Sequence, residues 1–184
     1  MSLPSPDTAF PVLAKDGLAW VRIVGPGVCR EIGRFENLLE ELERRGFTGV
    51  VIDLTECSRL DSTFAGAFLR LAERAGTGPR FFLTGARGPV AELLEMLLVS
   101  DALPSLDIPE RDREAFQDVA VEDRDRSREA ILELSLDGHE RLAELSDANA
   151  RRFAALLEML RAQVPAAAAA TVPPAKPASG EQDE

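Results

Sequence analysis

The chain has 184 residues, a formal net charge of −11, 45% hydrophobic residues and 29% charged residues, which predicts one folded domain with an appendage and not a disordered chain. The acidic balance argues against nucleic-acid binding, because proteins that bind nucleic acids present basic surfaces to the phosphate backbone. No apolar run reaches the roughly 18 residues of a membrane span and no secretion signal is present, so we expect a cytoplasmic protein whose partner is a protein or a small ligand.

The first elements in chain order form a predicted β-hairpin. Residues 18–25, LAWVRIVG, alternate apolar and polar side chains and run into the sequence GPG, which is typical of a strand that ends in a turn. The preceding segment 9–17, AFPVLAKDG, predicts the partner strand, with Asp16 and Gly17 in the hairpin turn.

A helix and a buried strand follow the hairpin. Residues 29–46, CREIGRFENLLEELERRG, place apolar side chains at helical spacing with charges between them, which predicts an amphipathic helix that ends at Gly46. Residues 49–55, GVVIDLT, form a continuous apolar run without alternation. Such a run is typical of a parallel strand covered on both faces, so we predict a central strand here.

The segment 59–66, RLDSTFAG, joins that strand to the next helix. From Thr63 onwards, apolar residues recur at helical spacing. An oxygen at a helix start accepts hydrogen bonds from free backbone N–H groups, so either Asp61 or Ser62 is the predicted cap. The residue types alone favour this capping role over a role of Ser62 as a modified hydroxyl.

Two further strands and a helix complete the predicted domain. Residues 80–85, RFFLTG, predict a short buried strand, Pro89 begins a helix with an apolar face, and residues 103–109, LPSLDIP, predict a final strand. The order of elements predicts an α/β fold with a single sheet of about five strands, mostly parallel, and packed helices. We expect residues 10–115 to hold this domain.

The C-terminal part has a different composition. Ser127 and Ser146 are predicted to cap two amphipathic helices within residues 122–164, which would form a helical hairpin. The apolar stripes of these helices need burial, so the hairpin folds back on the domain, forms a homodimer with a second copy, or receives a partner. Residues 165–184 contain little but alanine, proline and polar residues and are predicted to be disordered.

Few residues are candidates for catalysis or metal binding. His139 is the single histidine and lacks the second histidine of the HExxH zinc motif, so it is predicted to be a surface residue and not a ligand. Cys29 and Cys57 have no CxxC spacing, and neither a phosphate-binding loop nor a GxSxG nucleophile motif occurs. We therefore expect a non-enzymatic protein without a metal site or a cofactor.

Two stretches of the sequence resemble a known family. GVVIDLTECSRLDSTFAGAFLRLAERAG and the later RFFLTGARGPVAELLEMLLVSDALPSLDIPE are similar to the STAS domain of bacterial anti-sigma factor antagonists, over roughly residues 10–115. In that family, the serine directly after the corresponding aspartate is phosphorylated by a cognate anti-sigma factor kinase. The resemblance implies that Ser62 is the phosphoacceptor, with Thr63 as the alternative hydroxyl.

The resemblance implies a signalling module in transcription regulation that binds an anti-sigma factor or a related kinase. A phosphate on Ser62 would add about 1.5 to 2 negative charges and weaken this docking. The alternative is an unphosphorylated, constitutive adaptor in a larger lipid-transport or stress-signalling assembly. A small-molecule or nucleotide-binding domain with weak enzymatic activity is least favoured, because only short glycine turns support it. The residues expected to contact the partner are Asp61, Ser62, Thr63, Phe64 and Gly66.

Overall fold

The computed structural model describes residues 8–15, 17–74, 80–103, 105–106, 116 and 126–164. The strands are β1 Val12–Lys15, β2 Leu18–Arg22, β3 Gly25–Gly27, β4 Gly49–Asp53, β5 Cys57–Leu60 and β6 Arg80–Thr84. The α-helices are α1 Ile32–Arg44, α2 Ser62–Arg74, α3 Gly88–Met96, α4 Val99–Ala102, α5 Arg128–Glu144 and α6 Asp147–Gln163. None of the helices within these ranges has the length and apolar character needed to cross a membrane.

The central sheet has the strand order β1-β2-β4-β6. β1 and β2 form the predicted antiparallel hairpin, whereas β4 pairs in parallel with both β2 and β6. All residues of β4 are buried, because the strand has a neighbour on each edge and apolar side chains on both faces. The predicted central parallel strand at residues 49–55 is therefore confirmed.

A second, smaller sheet consists of β3 and β5, which pair in parallel. From the sequence we expect only a turn at GPG and no strand at Cys57–Leu60, so the structure corrects both assignments. The pairing depends on backbone hydrogen bonds and not on an apolar pattern, because β3 is Gly-Pro-Gly and two of the four residues of β5 are exposed.

The end of the predicted domain is only partly described. A parallel bridge between Leu83 and Ser105 lies where a final strand is predicted, and residues 104 and 107–109 of that prediction lie outside the described residues. The α/β class is confirmed: the main sheet is mostly parallel and helices pack against it.

A cluster of phenylalanine rings fills the space between α1 and α2. The ring centroid of Phe35 lies 4.9 Å from that of Phe64 and 6.2 Å from that of Phe68. Phe10, which precedes β1, lies 5.4 Å from Phe35. Phe64, expected at the partner surface, is instead 0% exposed, and its ring packs α2 against Phe35 of α1.

The C-terminal helices α5 and α6 form the predicted hairpin. Oγ of Ser127 accepts a hydrogen bond from N of Ala130 at 3.2 Å, and Oγ of Ser146 accepts one from N of Asn149 at 3.1 Å, so both predicted caps are confirmed. α5 packs against α6 and against α2. The hairpin therefore folds back on the domain, one of the three arrangements expected, while a homodimer through these helices stays a prediction.

The hairpin shares the hydrophobic core of the domain. Leu142 of α5 and the side chains of Phe153 and Leu157 on α6 belong to the same buried cluster as the sheet. Nδ2 of Asn149 also donates a hydrogen bond to the carbonyl oxygen of Leu97 at 3.0 Å, which anchors the start of α6 beside α3. The tail at 165–184, predicted to be disordered, lies outside the described residues.

Candidate functional site

Asp61 organises the N-terminus of α2. Its Oδ1 accepts a hydrogen bond from N of Phe64 at 3.0 Å, and its Oδ2 accepts one from N of Cys29 at 2.7 Å. Its own backbone N donates to the carbonyl oxygen of Gly27 at 3.1 Å. Asp61 is therefore the cap of α2, a choice that the sequence leaves open with Ser62, and its negative charge lies at the positive end of the helix dipole.

Ser62 is the first residue of α2 and is partly exposed. Its Oγ lies 2.9 Å from Nε2 of His139 on α5. The other ring nitrogen, Nδ1, lies 2.7 Å from the carbonyl oxygen of Ser135. Because a carbonyl only accepts, Nδ1 of the neutral ring carries the hydrogen, so Nε2 is the acceptor and the Ser62 hydroxyl donates to it.

The prediction that His139 is a surface residue is wrong. Its side chain is 1% exposed, and the ring lies edge-on to Phe153 with 5.1 Å between the ring centroids. The sequence reasoning missed it because Ser62 and His139 are 77 positions apart along the chain. The available signal was Gly138, since a glycine inside a helix often marks a close approach of another backbone.

Gly66 and Gly138 mark the point where α2 and α5 cross. A Cβ placed on Gly66 would lie 2.6 Å from the carbonyl oxygen of Gly138 and 2.7 Å from its Cα. A side chain on Gly66 does not fit against this backbone, which approaches α2 one helical turn after Ser62. Gly66, expected at the partner surface, is therefore covered by α5.

Ion pairs line one side of this crossing. Nε of Arg70 on α2 lies 3.7 Å from Oδ2 of Asp137 on α5, and Arg70 also binds Glu36 of α1. Arg141 of α5 binds Glu73 of α2 and lies 3.0 Å from Oδ1 of Asp137. Burial raises the pKa of Asp137, and the charge of Arg70 counteracts this. Each helix thus presents both a cation and an anion to the other.

The neighbouring hydroxyl is less accessible than that of Ser62, and the neighbouring thiol is not activated. Thr63, the alternative phosphoacceptor, is 7% exposed. The pKa of the Cys29 thiol is raised by burial, lowered by a hydrogen bond with Thr63 and raised again by the charge of Asp61, with a net upward shift. The thiol is therefore protonated at neutral pH and is a poor nucleophile. Within the described ranges, no group of three histidine, cysteine or acidic residues could hold a metal ion.

His139 links the stability of the fold to pH. Burial lowers its pKa, whereas the hydrogen bond with the Ser135 carbonyl and the charge of Asp61 raise it, and the net shift is downward. The unfolded chain therefore binds a proton on this side chain at a higher pH than the folded chain does. The contribution of neutral His139 is complete above about pH 6.5, the ordinary pKa of histidine, and is lost as the pH falls below it.

We expect the wild type to lose stability relative to the His139→Gln variant when the pH falls from about 7.5 to about 5.5. The difference should stay below about 1.4 kcal/mol per pH unit, the limit for one proton. Glutamine keeps a polar group near the position of Nε2 but does not titrate, and the carboxylates common to both chains cancel in the comparison. Urea unfolding across this pH range measures the effect. A difference that does not change with pH would contradict a buried, neutral imidazole.

The solved structures that the chain resembles include the following two. The Thermotoga maritima protein tm1081, described as an anti-sigma factor antagonist, matches with a TM-score of 0.51 and 15% identity, over 57% of this chain and 92% of its own. Moorella thermoacetica RsbS, in a serine-to-glutamate variant, matches with a TM-score of 0.44 and 27% identity, over 55% of this chain and 88% of its own. The first match shows that the fold is shared.

Two further comparisons use the sequence alone. A search among curated proteins finds no match. A family model of the STAS domain matches residues 9–110, more than half of the chain. This range includes the four-stranded sheet and the junction of Asp61 and Ser62, so the resemblance seen in the sequence is confirmed. The chain therefore belongs to the STAS domain family.

Proposed function

We propose that the chain is a non-enzymatic signalling module of the bacterial cytoplasm that binds a protein partner of the anti-sigma factor or serine-kinase type, and that phosphorylation of Ser62 controls this binding in transcription regulation. The observation that carries the proposal is the position of Ser62, partly exposed at the start of α2 and directly after the capping carboxylate of Asp61. The burial of Thr63 favours Ser62 as the acceptor. Membership of the STAS family supports the class of function.

The position of Ser62 suits a modification that changes binding without unfolding the domain. A kinase would transfer the γ-phosphoryl group of ATP to Oγ, with loss of the hydroxyl proton and release of ADP. The helix N-terminus stabilises the added charge by about 0.3 to 1 kcal/mol. A partner docked over Asp61 and Ser62 would instead face a dianion beside a carboxylate, so we expect its affinity to fall about a hundredfold.

Mass spectrometry of the chain isolated from its host tests the acceptor. Trypsin cuts after Arg59 and Arg70 and releases LDSTFAGAFLR, in which Ser62 and Thr63 are the only hydroxyl residues. We expect a phosphorylated form of this peptide whose fragment ions place the phosphate on Ser62. The Ser62→Ala variant is the control, since its peptide should lose the modification even though Thr63 remains. An unmodified peptide under every growth condition would contradict the proposal.

Capture of partners from the same host tests the control of binding. Tagged wild type, Ser62→Ala and Ser62→Asp chains are expressed, and the co-purified proteins are quantified. We expect a partner retained by wild type and Ser62→Ala and depleted at least tenfold with Ser62→Asp, because a carboxylate supplies part of the phosphate charge. Equal retention by all three chains would rule out a charge-controlled surface at Ser62.

A constitutive adaptor is the second candidate function. The observation that favours it is the hydrogen bond between Ser62 and His139, which already engages the hydroxyl within the chain. An adaptor predicts an unmodified tryptic peptide together with equal retention of a stable assembly by the three chains. The same two experiments therefore separate the candidates.

A further inference from the structure

One face of α2 combines the proposed phosphoacceptor with the contacts of α5. Ser62, Gly66, Arg70 and Glu73 are spaced by four, four and three residues, which places them on the same side of the helix. We call this surface the Ser62 face. Each of its members contacts α5, by a hydrogen bond, a backbone contact or an ion pair. The chain thus covers with its own helix the surface that the proposed function assigns to a partner.

We propose that the α5–α6 hairpin is an intramolecular ligand of the Ser62 face, that it stays docked only while Ser62 carries a free hydroxyl, and that an external partner competes with it for this face. The inference rests on the proposed function of Ser62. Phosphate would then remove both ligands of the face, the hairpin within the chain and the partner outside it.

The hydrogen bond between Ser62 and His139 depends on the hydroxyl hydrogen. Nδ1 of the ring is engaged by the carbonyl of Ser135, so Nε2 offers a lone pair towards Oγ at 2.9 Å. Phosphorylation replaces the hydroxyl hydrogen by a dianionic group whose oxygens only accept. With the ring of His139 neutral, acceptor would then face acceptor. The ring of His139 is 1% exposed, so the phosphate oxygens on this side would also lose water.

The backbone crossing prevents a small local adjustment. At Gly66 and Gly138, no side chain is present that could change rotamer and widen the gap. Gly138 directly precedes His139, so the ring and the contact point belong to one rigid turn of α5. A phosphate group that keeps the position of the hydroxyl beside His139 therefore requires movement of the helix as a whole, which breaks the other contacts of the face.

α5 also indicates the kind of external partner that fits. It places a glycine against Gly66, an acceptor nitrogen against Ser62, a carboxylate near Arg70 and a guanidinium on Glu73. Its apolar side includes Leu142, which is buried in the common core. The expected partner is an amphipathic helix with a small residue at the crossing and a similar order of charges.

Phosphoserine installed at position 62 of the full chain by codon suppression tests the dependence on the hydroxyl. Hydrogen exchange of the α5 amides measures docking, and the amides of β4 report on the sheet. The matched control carries phosphoserine at position 58, where Ser58 lies exposed on β5. We expect exchange in α5 to become at least tenfold faster with phosphate at position 62 and to stay unchanged with phosphate at position 58, while β4 stays protected in both. Unchanged exchange in α5 with phosphate at position 62 would overturn the inference.

Binding in trans tests whether the Ser62 face is a docking surface. The Gly138→Val variant alters the hairpin but leaves the face intact, and a fluorescent peptide of residues 126–164 serves as the probe. We expect this variant to bind the peptide at least tenfold more tightly than the wild type, whose own hairpin competes. Phosphoserine at position 62 of the same variant should abolish the gain. Equal binding by variant and wild type, or binding unaffected by phosphate, would overturn the inference.

The two proposals fail separately. Absence of phosphate from the chain isolated from its host would contradict the proposed function and leave the exchange result with installed phosphoserine unaffected. Conversely, phosphate on Ser62 in the host together with a hairpin that stays docked would preserve the proposed function. It would overturn the inferred competition between the hairpin and the partner for the Ser62 face.

Discussion

The Gly66→Ala variant is expected to lose about 1 to 3 kcal/mol of unfolding free energy, the usual cost of adding atoms to a packed contact. The new Cβ would lie 2.6 Å from the carbonyl oxygen of Gly138 and 2.7 Å from its carbonyl carbon, so the backbone of α5 has to move away. Helix propensity acts in the opposite direction, because alanine is favoured over glycine by about 1 kcal/mol in a helix interior. The measured net loss of unfolding free energy is therefore smaller than the steric cost of the new Cβ against α5.

The reciprocal Gly138→Ala variant is expected to be nearly neutral. Its Cβ would lie 3.2 Å from Cα of Gly66, a contact that a small shift relieves, and the propensity of alanine offsets the remaining cost. Gly33→Ala on α1 is the matched control, because its Cβ meets only side-chain atoms, of Ile131 at 3.0 Å and of Arg126 at 3.6 Å. Urea unfolding of the four chains measures the difference. Equal losses for Gly66→Ala and Gly138→Ala would contradict the crossing geometry.

The Asp53→Ala variant is expected to lose about 3 to 5 kcal/mol of unfolding free energy, because it removes the buried carboxylate of a buried ion pair. Oδ2 of Asp53, at the end of β4, accepts a hydrogen bond from Nε of Arg22 on β2 at 2.8 Å. The side chains of Arg22 and Asp53 are 8% and 4% exposed. Oδ1 of Asp53 also accepts a hydrogen bond from N of Thr55 at 2.9 Å, which orders the chain after β4.

Glu56→Ala is the control for this prediction. Glu56 binds the same guanidinium at 2.9 Å, but its side chain is 53% exposed, and exposed ion pairs contribute about 0 to 1 kcal/mol. Urea unfolding should therefore separate the two variants clearly. The double variant Arg22→Met with Asp53→Ala should recover part of the loss, because it removes the buried guanidinium together with the carboxylate. A loss with Glu56→Ala as large as with Asp53→Ala would show that burial does not decide the cost.

The sequence predicted the elements whose side chains show a clear apolar pattern. The apolar run of β4 and the stripe of α1 are correct, because their burial and their pattern agree. β3 and β5 escaped prediction, since Gly-Pro-Gly has no side-chain pattern and Ser58 and Arg59 face solvent. Strands of this kind form because a neighbouring backbone is available, and the position of that neighbour is a property of the folded chain.

The sequence predicted the part of the candidate site that lies on α2 but not the part that lies on α5. The local sequence identified Asp61 and Ser62, because a helix start has its own chemistry and its residues are adjacent. It could not place His139, which reaches Ser62 only when α5 crosses α2. Lone helix histidines are usually exposed, and only the preceding Gly138 distinguishes this one.

The enclosed position of His139 has a practical consequence for experiments on the intact protein. The chain contains a single histidine, and that imidazole is 1% exposed while α5 lies on α2. Its carbethoxylation rate and its proton resonances therefore come from one site and require no added label. The rate of carbethoxylation of the unmodified chain thereby reports how often this region of the molecule opens to solvent.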